Sequence, residues 1–169
     1  MIEQYSNPWF SVIKDGVFHY VIEPSSKNGA VVLVETHDSY IFVIIPRIAH
    51  GNEEQIEAPR GYGQDEQSSL ETAMRELYEE TGYLVGSSQL EKLGTVKPNS
   101  AILASEVDVY LAQVNEGQRV KGCDSEVNGI ISVAKSDIRG MIARGEITDS
   151  FTLSAFALLW SKPSISVDS

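Results

Sequence analysis

Three glutamates and an arginine fall within one short segment, GYGQDEQSSLETAMRELYEETGY, which runs from Gly61 to Tyr83. Glu76, Glu79 and Glu80 lie three, four and one residues apart, so a helix places all three carboxylates on one flank. Like charges packed so closely repel each other unless a cation neutralises them. Carboxylate oxygens suit hard divalent ions such as Mg²⁺ or Mn²⁺. The spacing therefore predicts a magnesium-dependent site.

The helix that carries these acids has its own start, stop and buried stripe in the sequence. Ser68 followed by Glu71 is typical of a capping box at a helix start, and Gly82 is typical of a helix end. Apolar or small residues recur at helical spacing, which predicts one buried face: Leu70, Ala73, Met74, Leu77 and Thr81. The pattern predicts a helix over 69–81.

Arg75 lies four residues before Glu79, a spacing at which helical side chains meet. We expect Arg75 to hold Glu79 in a fixed orientation while Glu76 and Glu80 face the metal. A solvated acidic surface is the usual explanation for a run of glutamates. Such a surface does not require the flanking glycines and the arginine in register, so the metal site is the better interpretation.

This segment resembles the signature of the Nudix hydrolases, G-x5-E-x7-R-E-U-x-E-E-x-G-U, in which U is a bulky apolar residue. The matching positions are Gly61, Arg75, Glu76, Leu77, Glu79, Glu80, Gly82 and Tyr83. Gln67 stands where the signature has its first glutamate, and Glu66 precedes it. Either a neutral amide takes that role or the loop shifts to use Glu66.

The resemblance implies an α/β (α+β) fold, which is a Nudix-type α/β/α sandwich with a mixed β-sheet and an N-terminal β extension. A single Nudix hydrolase domain is expected over residues 1–169, with N-terminal strands over 1–25. The segment Asn7-Pro8-Trp9-Phe10 is similar to the N-terminal strands that ADP-ribose-type relatives use to pair subunits, so a homodimer is expected. In the other interpretation, Trp9 and Phe10 only cover the monomer's own sheet.

Two further segments narrow the resemblance to enzymes related to the ADP-ribose pyrophosphatases. Residues 57–63 are similar to their E-x-P-R-G-x-G lead-in, and Pro98 falls where ADP-ribose hydrolases carry a characteristic proline. In these enzymes a backbone carbonyl before the first signature glycine joins the metal shell, which here is the carbonyl of Arg60. The resemblance implies that Arg47, Glu57, Arg60 and Pro98 bind the substrate.

The acidic loop over 122–126 is similar to a loop from which relatives bring an additional glutamate to the metals, and Glu126 is the candidate here. The catalytic residues expected are Glu79, Glu126 and Arg75, and the sequence leaves open whether Glu79 or Glu126 is the base. The resemblance implies Mg²⁺-dependent hydrolysis of a nucleoside diphosphate linked to another moiety, with ADP-ribose giving AMP and ribose 5-phosphate. The alternatives are another sugar nucleotide or dinucleotide as substrate, or a catalytically silent nucleotide sensor.

Composition agrees with a soluble single domain. The chain has 169 residues, 42% of them hydrophobic, which suffices for one sizeable core. A net charge of −11 disfavours nucleic acid as a partner. The lone Cys123 excludes an intrachain disulfide, and no apolar run is long enough for a membrane span, so a cytoplasmic protein without a membrane partner is expected.

Hydrophobic periodicity predicts a mixed order of strands and helices. The predicted strands cover 10–13, 17–22, 30–35, 40–45, 92–96, 107–112 and 130–133, and the predicted helices cover 69–81, 135–143 and 149–161. Turn residues at 15–16 and 37–39 predict two hairpins.

Overall fold

The computed structural model of the chain describes residues 1–120 and 126–163. Within them a seven-stranded mixed sheet forms the centre of the molecule. Its strands are β4 (Ala30–Glu35), β5 (Ser39–Arg47), β6 (Glu53–Glu57), β7 (Arg60–Gly61), β8 (Leu90–Val96), β9 (Val107–Gln113) and β10 (Gly129–Ala134). The order across the sheet is β10-β5-β4-β9-β8, with β6 paired to β5 and β7 paired to β4. β4 runs parallel to β9, and the other neighbours are antiparallel.

Helices lie on both faces of this sheet. They are α1 (Ser69–Thr81), α2 (Ile138–Ala143) and α3 (Ser150–Ser161). Side chains alternate along β4, so Val31 and Leu33 pack with Phe156 of α3, whereas Val32 packs with Leu77 of α1 on the opposite face. The result confirms the α/β/α sandwich that the sequence predicts. Among the described helices, none has the length and apolar character that a membrane crossing requires.

A separate antiparallel sheet precedes the central one. It consists of β1 (Ile2–Ser6), β2 (Ser11–Asp15) and β3 (Phe18–Ile22). Gly16 turns the chain between β2 and β3 with a φ of 59°, a left-handed conformation that glycine adopts without strain. Backbone hydrogen bonds tie β3 to a later loop, from Val21 N–H to the Ile102 carbonyl at 2.7 Å and from Ala104 N–H to the Val21 carbonyl at 2.9 Å.

The predicted signals of α1 are present. Ser68 accepts a hydrogen bond from the Glu71 N–H, the Glu71 carboxylate accepts one from the Ser68 N–H, and Gly82 ends the helix with a φ of 77°. Ala73 and Leu77 are fully buried against the sheet. α1 therefore begins and ends at the predicted residues.

The predicted strands are all present, and most of their ends differ by one or two residues from the prediction. The short strands β1, β6 and β7 are absent from the prediction, because they are mostly polar or exposed and lack a run of buried apolar residues. α2 begins at Ile138 instead of Lys135, since the preceding residues form a turn in which the Asp137 N–H donates to the Ala134 carbonyl at 2.9 Å.

Candidate active site

The backbone of Arg60 and Gly61 lies beside the acidic flank of α1. β7 is held by pairing with β4, where Gly61 lies opposite Ala30, and α1 is held by packing Leu77 on the same sheet. These two elements meet where the Arg60 N–H donates a hydrogen bond to Glu80 Oε2 at 3.1 Å. The Glu80 carboxylate is therefore fixed next to the loop that precedes the first signature glycine.

Gly61 makes room for the second carboxylate. A Cβ built on Gly61 would lie 2.1 Å from Oε1 of Glu76, far inside van der Waals contact. Glu76 is 8% exposed, so its carboxylate has little space to retreat into. A residue without a side chain is required here because the Glu76 carboxylate occupies that volume.

We predict that Gly61→Ala lowers both stability and activity. The new methyl group must displace the buried carboxylate of Glu76, and overpacking of this kind costs about 1–3 kcal/mol. The free energy of unfolding in urea and the initial hydrolysis rate measure the two effects. Gly86→Ala is the matched control, since Gly86 has a φ of −89° and a Cβ there meets no described atom within 4 Å. Equal behaviour of the two variants would contradict the prediction.

Arg75 connects the acidic flank of α1 to the loop. Its Nη1 lies 2.7 Å from Glu79 Oε2, which is the contact expected from the spacing of four residues. The same nitrogen lies 2.7 Å from Glu76 Oε1, and Nη2 donates to the Tyr62 carbonyl at 2.7 Å. Arg75 thus orients two of the three acids, one more than the sequence predicts.

Burial raises the pKa of Glu80 to about 8, and the neighbouring charge of Glu76 acts in the same direction. A divalent cation between the two carboxylates would offset both the cost of burying their charge and their mutual repulsion. Their hard oxygens suit Mg²⁺. Among the described residues, no three acidic, histidine or cysteine side chains converge on one point as a metal site. The pair of carboxylates beside Gly61 nevertheless fits the chemistry of such an ion.

Gln67 points inward, whereas Glu66 points outward. Oε1 of Gln67 is buried without a hydrogen-bond partner among the described residues, and Glu66 is exposed with a φ of 66°. An unpaired buried amide oxygen is costly and calls for a donor or a cation. The arrangement favours the amide over a shifted Glu66 for the role of the missing signature glutamate.

Glu57 lies between two arginines. Its carboxylate is 2% exposed and accepts hydrogen bonds from Arg47 Nε at 2.8 Å and from Arg60 Nη2 at 2.9 Å. Arg47 also forms an ion pair with Glu57 through Nη2. Burial alone would raise the pKa of Glu57, but the two guanidinium groups outweigh it and hold the pKa below its ordinary value. The carboxylate therefore stays charged and holds the guanidinium groups of Arg47 and Arg60 at the neighbouring cavity.

The start of α3 supports the same loop. Thr152 Oγ1 accepts a hydrogen bond from the Ala58 N–H at 2.9 Å and donates one to Asp149 Oδ2 at 2.8 Å. Asp149 caps α3 and lies 3.5 Å from Arg60 Nη2. Phe151 lies under the Arg60 guanidinium, whose Cζ is 4.8 Å from the ring centroid. Contacts with several separate residues thus fix Arg60.

A cavity of about 310 Å³ joins these elements. Four of the residues expected at the site line it, namely Arg47, Arg60, Gly61 and Pro98, and Glu23, Ser26, Tyr62, Leu103, Ser105, Val107 and Phe151 complete most of its wall. Pro98, which follows β8, lines the same cavity as Arg47 and Arg60. Three of the four expected substrate-binding residues therefore line one cavity, and the fourth, Glu57, is hydrogen-bonded to both of its arginines.

Glu126 lies on an exposed turn, and no hydrogen bond or ion pair joins it to another described residue. The preceding part of its acidic loop, residues 121–125 with Cys123, lies outside the described residues.

Four further residues contribute to the site without a signal in the sequence, namely Glu23, Tyr62, Asp149 and Thr152. The local pattern around Asp149 predicts only a helix cap, and nothing in it indicates the contact with Arg60. Glu23 lies at the end of β3, where a single acid before a proline is typical of an ordinary turn.

The family model described as NUDIX domain matches residues 17–150, which is well over half of the chain. The chain therefore belongs to the Nudix family, as its signature indicates, and this membership supports its assignment as a Nudix hydrolase. No curated protein sequence matches the chain.

A solved structure described as an ADP compounds hydrolase is similar in fold. Its TM-score with this chain is 0.72 at 17% identity, and the alignment covers 94% of this chain and 89% of the other. A likeness over most of both chains agrees with the α/β/α arrangement described above.

Proposed function

We propose that this chain is a cytoplasmic Mg²⁺-dependent hydrolase of a nucleoside diphosphate linked to another moiety, with ADP-ribose as the substrate. Water would attack one phosphorus of the diphosphate, and the bridging oxygen would leave with the other phosphate. The products would be AMP and ribose 5-phosphate.

One observation carries the proposal. A single cavity wall contains the guanidinium groups of Arg47 and Arg60 together with Gly61, against which the Glu76 carboxylate packs. Paired arginines bind the oxygens of a diphosphate, and paired carboxylates bind the divalent ion that such a substrate carries. The description of the similar solved protein as an ADP compounds hydrolase agrees with this substrate class.

Glu76, Glu80 and the backbone carbonyl of Arg60 would hold the Mg²⁺ or Mn²⁺ ion. The bound ion supplies charge neutralisation for the phosphate oxygens and lowers the pKa of a water molecule. Arg47 and Arg60 would orient the diphosphate, because Glu57 keeps both guanidinium groups at the cavity. Arg75 would act through Glu76 and Glu79 as a positioning residue.

Glu79 or Glu126 would take the proton from the attacking water. Glu79 is held by Arg75, whereas Glu126 lies on an exposed turn. We predict that glutamine at the true base lowers kcat by about 10²–10⁴-fold, the usual contribution of general-base catalysis. The pH dependence of kcat in Glu79→Gln and Glu126→Gln identifies it, since only loss of the base removes the acidic limb. A normal limb in both variants would exclude both residues.

The direct test measures release of AMP from ADP-ribose by the purified protein with Mg²⁺. A panel with another sugar nucleotide, a dinucleoside polyphosphate and a reduced nicotinamide dinucleotide runs beside it. Metal-dependent release with the highest kcat/KM for ADP-ribose is the expected result. A higher kcat/KM for another panel member would support the proposed hydrolysis and identify that compound, instead of ADP-ribose, as the preferred substrate.

A catalytically silent nucleotide sensor is the second candidate, and Gln67 is the observation that favours it. The signature glutamate is absent there, and the buried amide oxygen lacks a partner among the described residues. A nucleotide-dependent rise in melting temperature without product from any panel member would support this alternative.

We further propose that the protein is a homodimer paired through its N-terminal sheet. Trp9 is 71% exposed, so it does not cover the monomer's own sheet. Phe10 is half-buried and packs against Tyr5 with ring centroids 5.8 Å apart. The residues that contribute most to binding at interface centres are enriched in tryptophan.

We predict that Trp9→Ser weakens this dimer at least tenfold, because tryptophans at interface centres contribute about 2 kcal/mol or more. Molar mass from light scattering over a range of concentrations measures the dissociation constant. Leu84→Ser is the control, since Leu84 is also exposed but follows α1. Unchanged dimerisation in Trp9→Ser, or a monomeric native protein, would exclude this interface.

A further inference from the structure

Glu23 places a negative charge in the same cavity that contains Arg47 and Arg60. It follows β3 directly, and its backbone carbonyl accepts hydrogen bonds from the Ser26 N–H at 3.0 Å and the Ser26 hydroxyl at 2.7 Å. Its side chain caps no helical turn, since the 3-10 turn over Pro24–Asn28 lacks a side-chain cap. The backbone is thus fixed while the carboxylate remains at the cavity.

Two hydroxyl groups orient the carboxylate. The Tyr62 hydroxyl donates to Glu23 Oε1 at 2.6 Å, and the Ser105 hydroxyl donates to Oε2 at 2.5 Å. Burial raises the pKa of Tyr62 to about 12, and the hydrogen bond to Glu23 adds to this, so Tyr62 remains a donor at neutral pH. Both partners are neutral, and no ion pair within 4 Å joins Glu23 to a described cation. The negative charge of Glu23 is therefore oriented by hydroxyl groups and has no direct ion-pair partner among the described residues.

A carboxylate offers about four acceptor positions, and these two hydroxyls use two of them. The remaining positions can accept hydrogen bonds from hydroxyl groups of a ligand. The negative charge of Glu23 also repels a phosphate that comes directly against its carboxylate. Cationic and anionic parts of one cavity therefore select a ligand that has an anionic centre and an uncharged, hydroxylated end.

We propose that Glu23 is a specificity-determining residue that accepts hydrogen bonds from sugar hydroxyls of the substrate and excludes ligands with an additional terminal phosphate. This inference rests on the proposed function, because it assumes that the diphosphate lies at Arg47 and Arg60. It selects a diphosphate esterified at both ends, such as a nucleoside diphosphate sugar, over nucleoside diphosphates and triphosphates with a free terminal phosphate.

The test uses ligands that are not hydrolysed, so that binding is measured apart from turnover. The α,β-methylene analogues of ADP-ribose and of ADP are titrated into the full-length protein with Mg²⁺ by calorimetry. We expect the native protein to bind the ADP-ribose analogue at least tenfold more tightly. Glu23→Gln should reduce this preference about tenfold, because a charged acceptor becomes neutral and the amide can donate to a phosphate.

A third ligand, the 2′,3′-dideoxyadenosine form of the ADP-ribose analogue, distinguishes the two sources of hydroxyls. If the nucleoside ribose contacts Glu23, the native protein loses affinity for this ligand and Glu23→Gln does not. If the terminal ribose makes the contact, both proteins bind the dideoxy ligand as tightly as its parent. Either result supports the inference if Glu23→Gln also has a smaller preference for the ADP-ribose analogue over the ADP analogue than the native protein.

Two variants separate selectivity from structural support. Glu106→Gln removes an exposed carboxylate one residue beyond Ser105, and the preference should remain as in the native protein. Tyr62→Phe removes one orienting hydroxyl but keeps the charge, so selection against the ADP analogue should remain. Glu23→Ala removes the same charge without adding a donor, and it carries the test if Glu23→Gln does not fold. An unchanged preference in Glu23→Gln would overturn the inference. Loss of the preference in Tyr62→Phe, which still contains Glu23, would also overturn it.

The outcome is independent of catalysis. A changed preference in Glu23→Gln without turnover by the native protein would contradict the proposed hydrolysis and retain the role of Glu23. Turnover by the native protein with an unchanged preference in Glu23→Gln would support the proposed hydrolysis and contradict the role of Glu23. Failure of the native protein to bind either analogue would overturn the inference, while AMP release would still decide the proposed function.

Discussion

Glu80→Gln is expected to abolish turnover while the protein remains folded. Glu80 accepts the Arg60 N–H at 3.1 Å and lies next to Glu76, so its carboxylate is one of the two that would bind the metal. Residues that merely support a metal ligand change affinity or activity by about 10–100-fold, and loss of a direct ligand should exceed that range. The measurement is kcat for AMP release, together with the rise in melting temperature that Mg²⁺ causes in the native protein.

The melting temperature of Glu80→Gln without metal shows whether this variant is folded. The pKa of Glu80 is raised from 4.5 to about 8 in the metal-free protein. The carboxyl group is neutral in both folded and unfolded chains below about pH 4.5. Above that pH the unfolded chain loses its proton first, so stability falls as the pH rises towards 8. A glutamine has no charge to bury, and the metal-free variant should therefore melt no lower than the native protein at pH 8.5.

Two results would contradict this assignment. Near-native turnover in Glu80→Gln would exclude Glu80 as a metal ligand. A variant that melts well below the native protein without metal would show that the carboxylate has a structural role, and its inactivity would then say nothing about catalysis. Glu71→Gln provides a comparison on the same helix, since Glu71 is exposed and its carboxylate accepts hydrogen bonds from Ser68 alone among the described residues.

The sequence predicts α1 well because every determinant of that helix is local. The capping box at Ser68 and Glu71, the buried stripe through Leu77 and the left-handed Gly82 all lie within fifteen consecutive residues. The same holds for β4, whose uninterrupted apolar run is typical of a strand covered on both faces. These two elements carry and support the acidic residues, so the local pattern also predicts where the acids lie.

The rest of the site depends on contacts between residues distant in sequence. Glu23 meets Tyr62 and Ser105 across separations of 39 and 82 residues, and Ala58 meets Thr152 across 94. No periodicity or spacing encodes such contacts, because they arise only when the sheet is assembled. β6 and β7 escape prediction for a related reason: their pairing with β5 and β4 defines them, and their own residues are largely polar.

Glu57→Gln is expected to lower both stability and substrate affinity. The carboxylate of Glu57 is almost fully buried and neutralises Arg47 and Arg60, which are themselves about one-third and one-quarter exposed. Removing one partner of a buried ion pair costs about 3–5 kcal/mol, because the remaining charges lose their compensation. We expect a value near the lower end of this range, since water reaches both arginines. Urea unfolding at pH 7 gives the stability, and the KM for ADP-ribose reports the misplaced guanidinium groups.

The pH dependence of this loss has a definite sign. The pKa of Glu57 is held below its ordinary 4.5 by the two arginines, so its charge contributes stability above that pH. As the pH falls below 4.5, the unfolded chain takes up the proton first, and the contribution is lost. The difference in unfolding free energy between the native protein and Glu57→Gln should therefore be largest at neutral pH and shrink in acid. A constant difference would show that the variant acts through packing.

A double variant separates charge repulsion from lost positioning. If unpaired guanidinium groups repel each other in Glu57→Gln, then adding Arg47→Gln should recover part of the stability, since only one cation remains. Activity should not recover, because the cavity then lacks one of its two phosphate-binding groups. Glu3→Gln, on the exposed strand β1 of the separate sheet, should change neither quantity. Full recovery of activity in the double variant would contradict the role of Arg47 in substrate binding and leave Arg60 as the only guanidinium at the diphosphate.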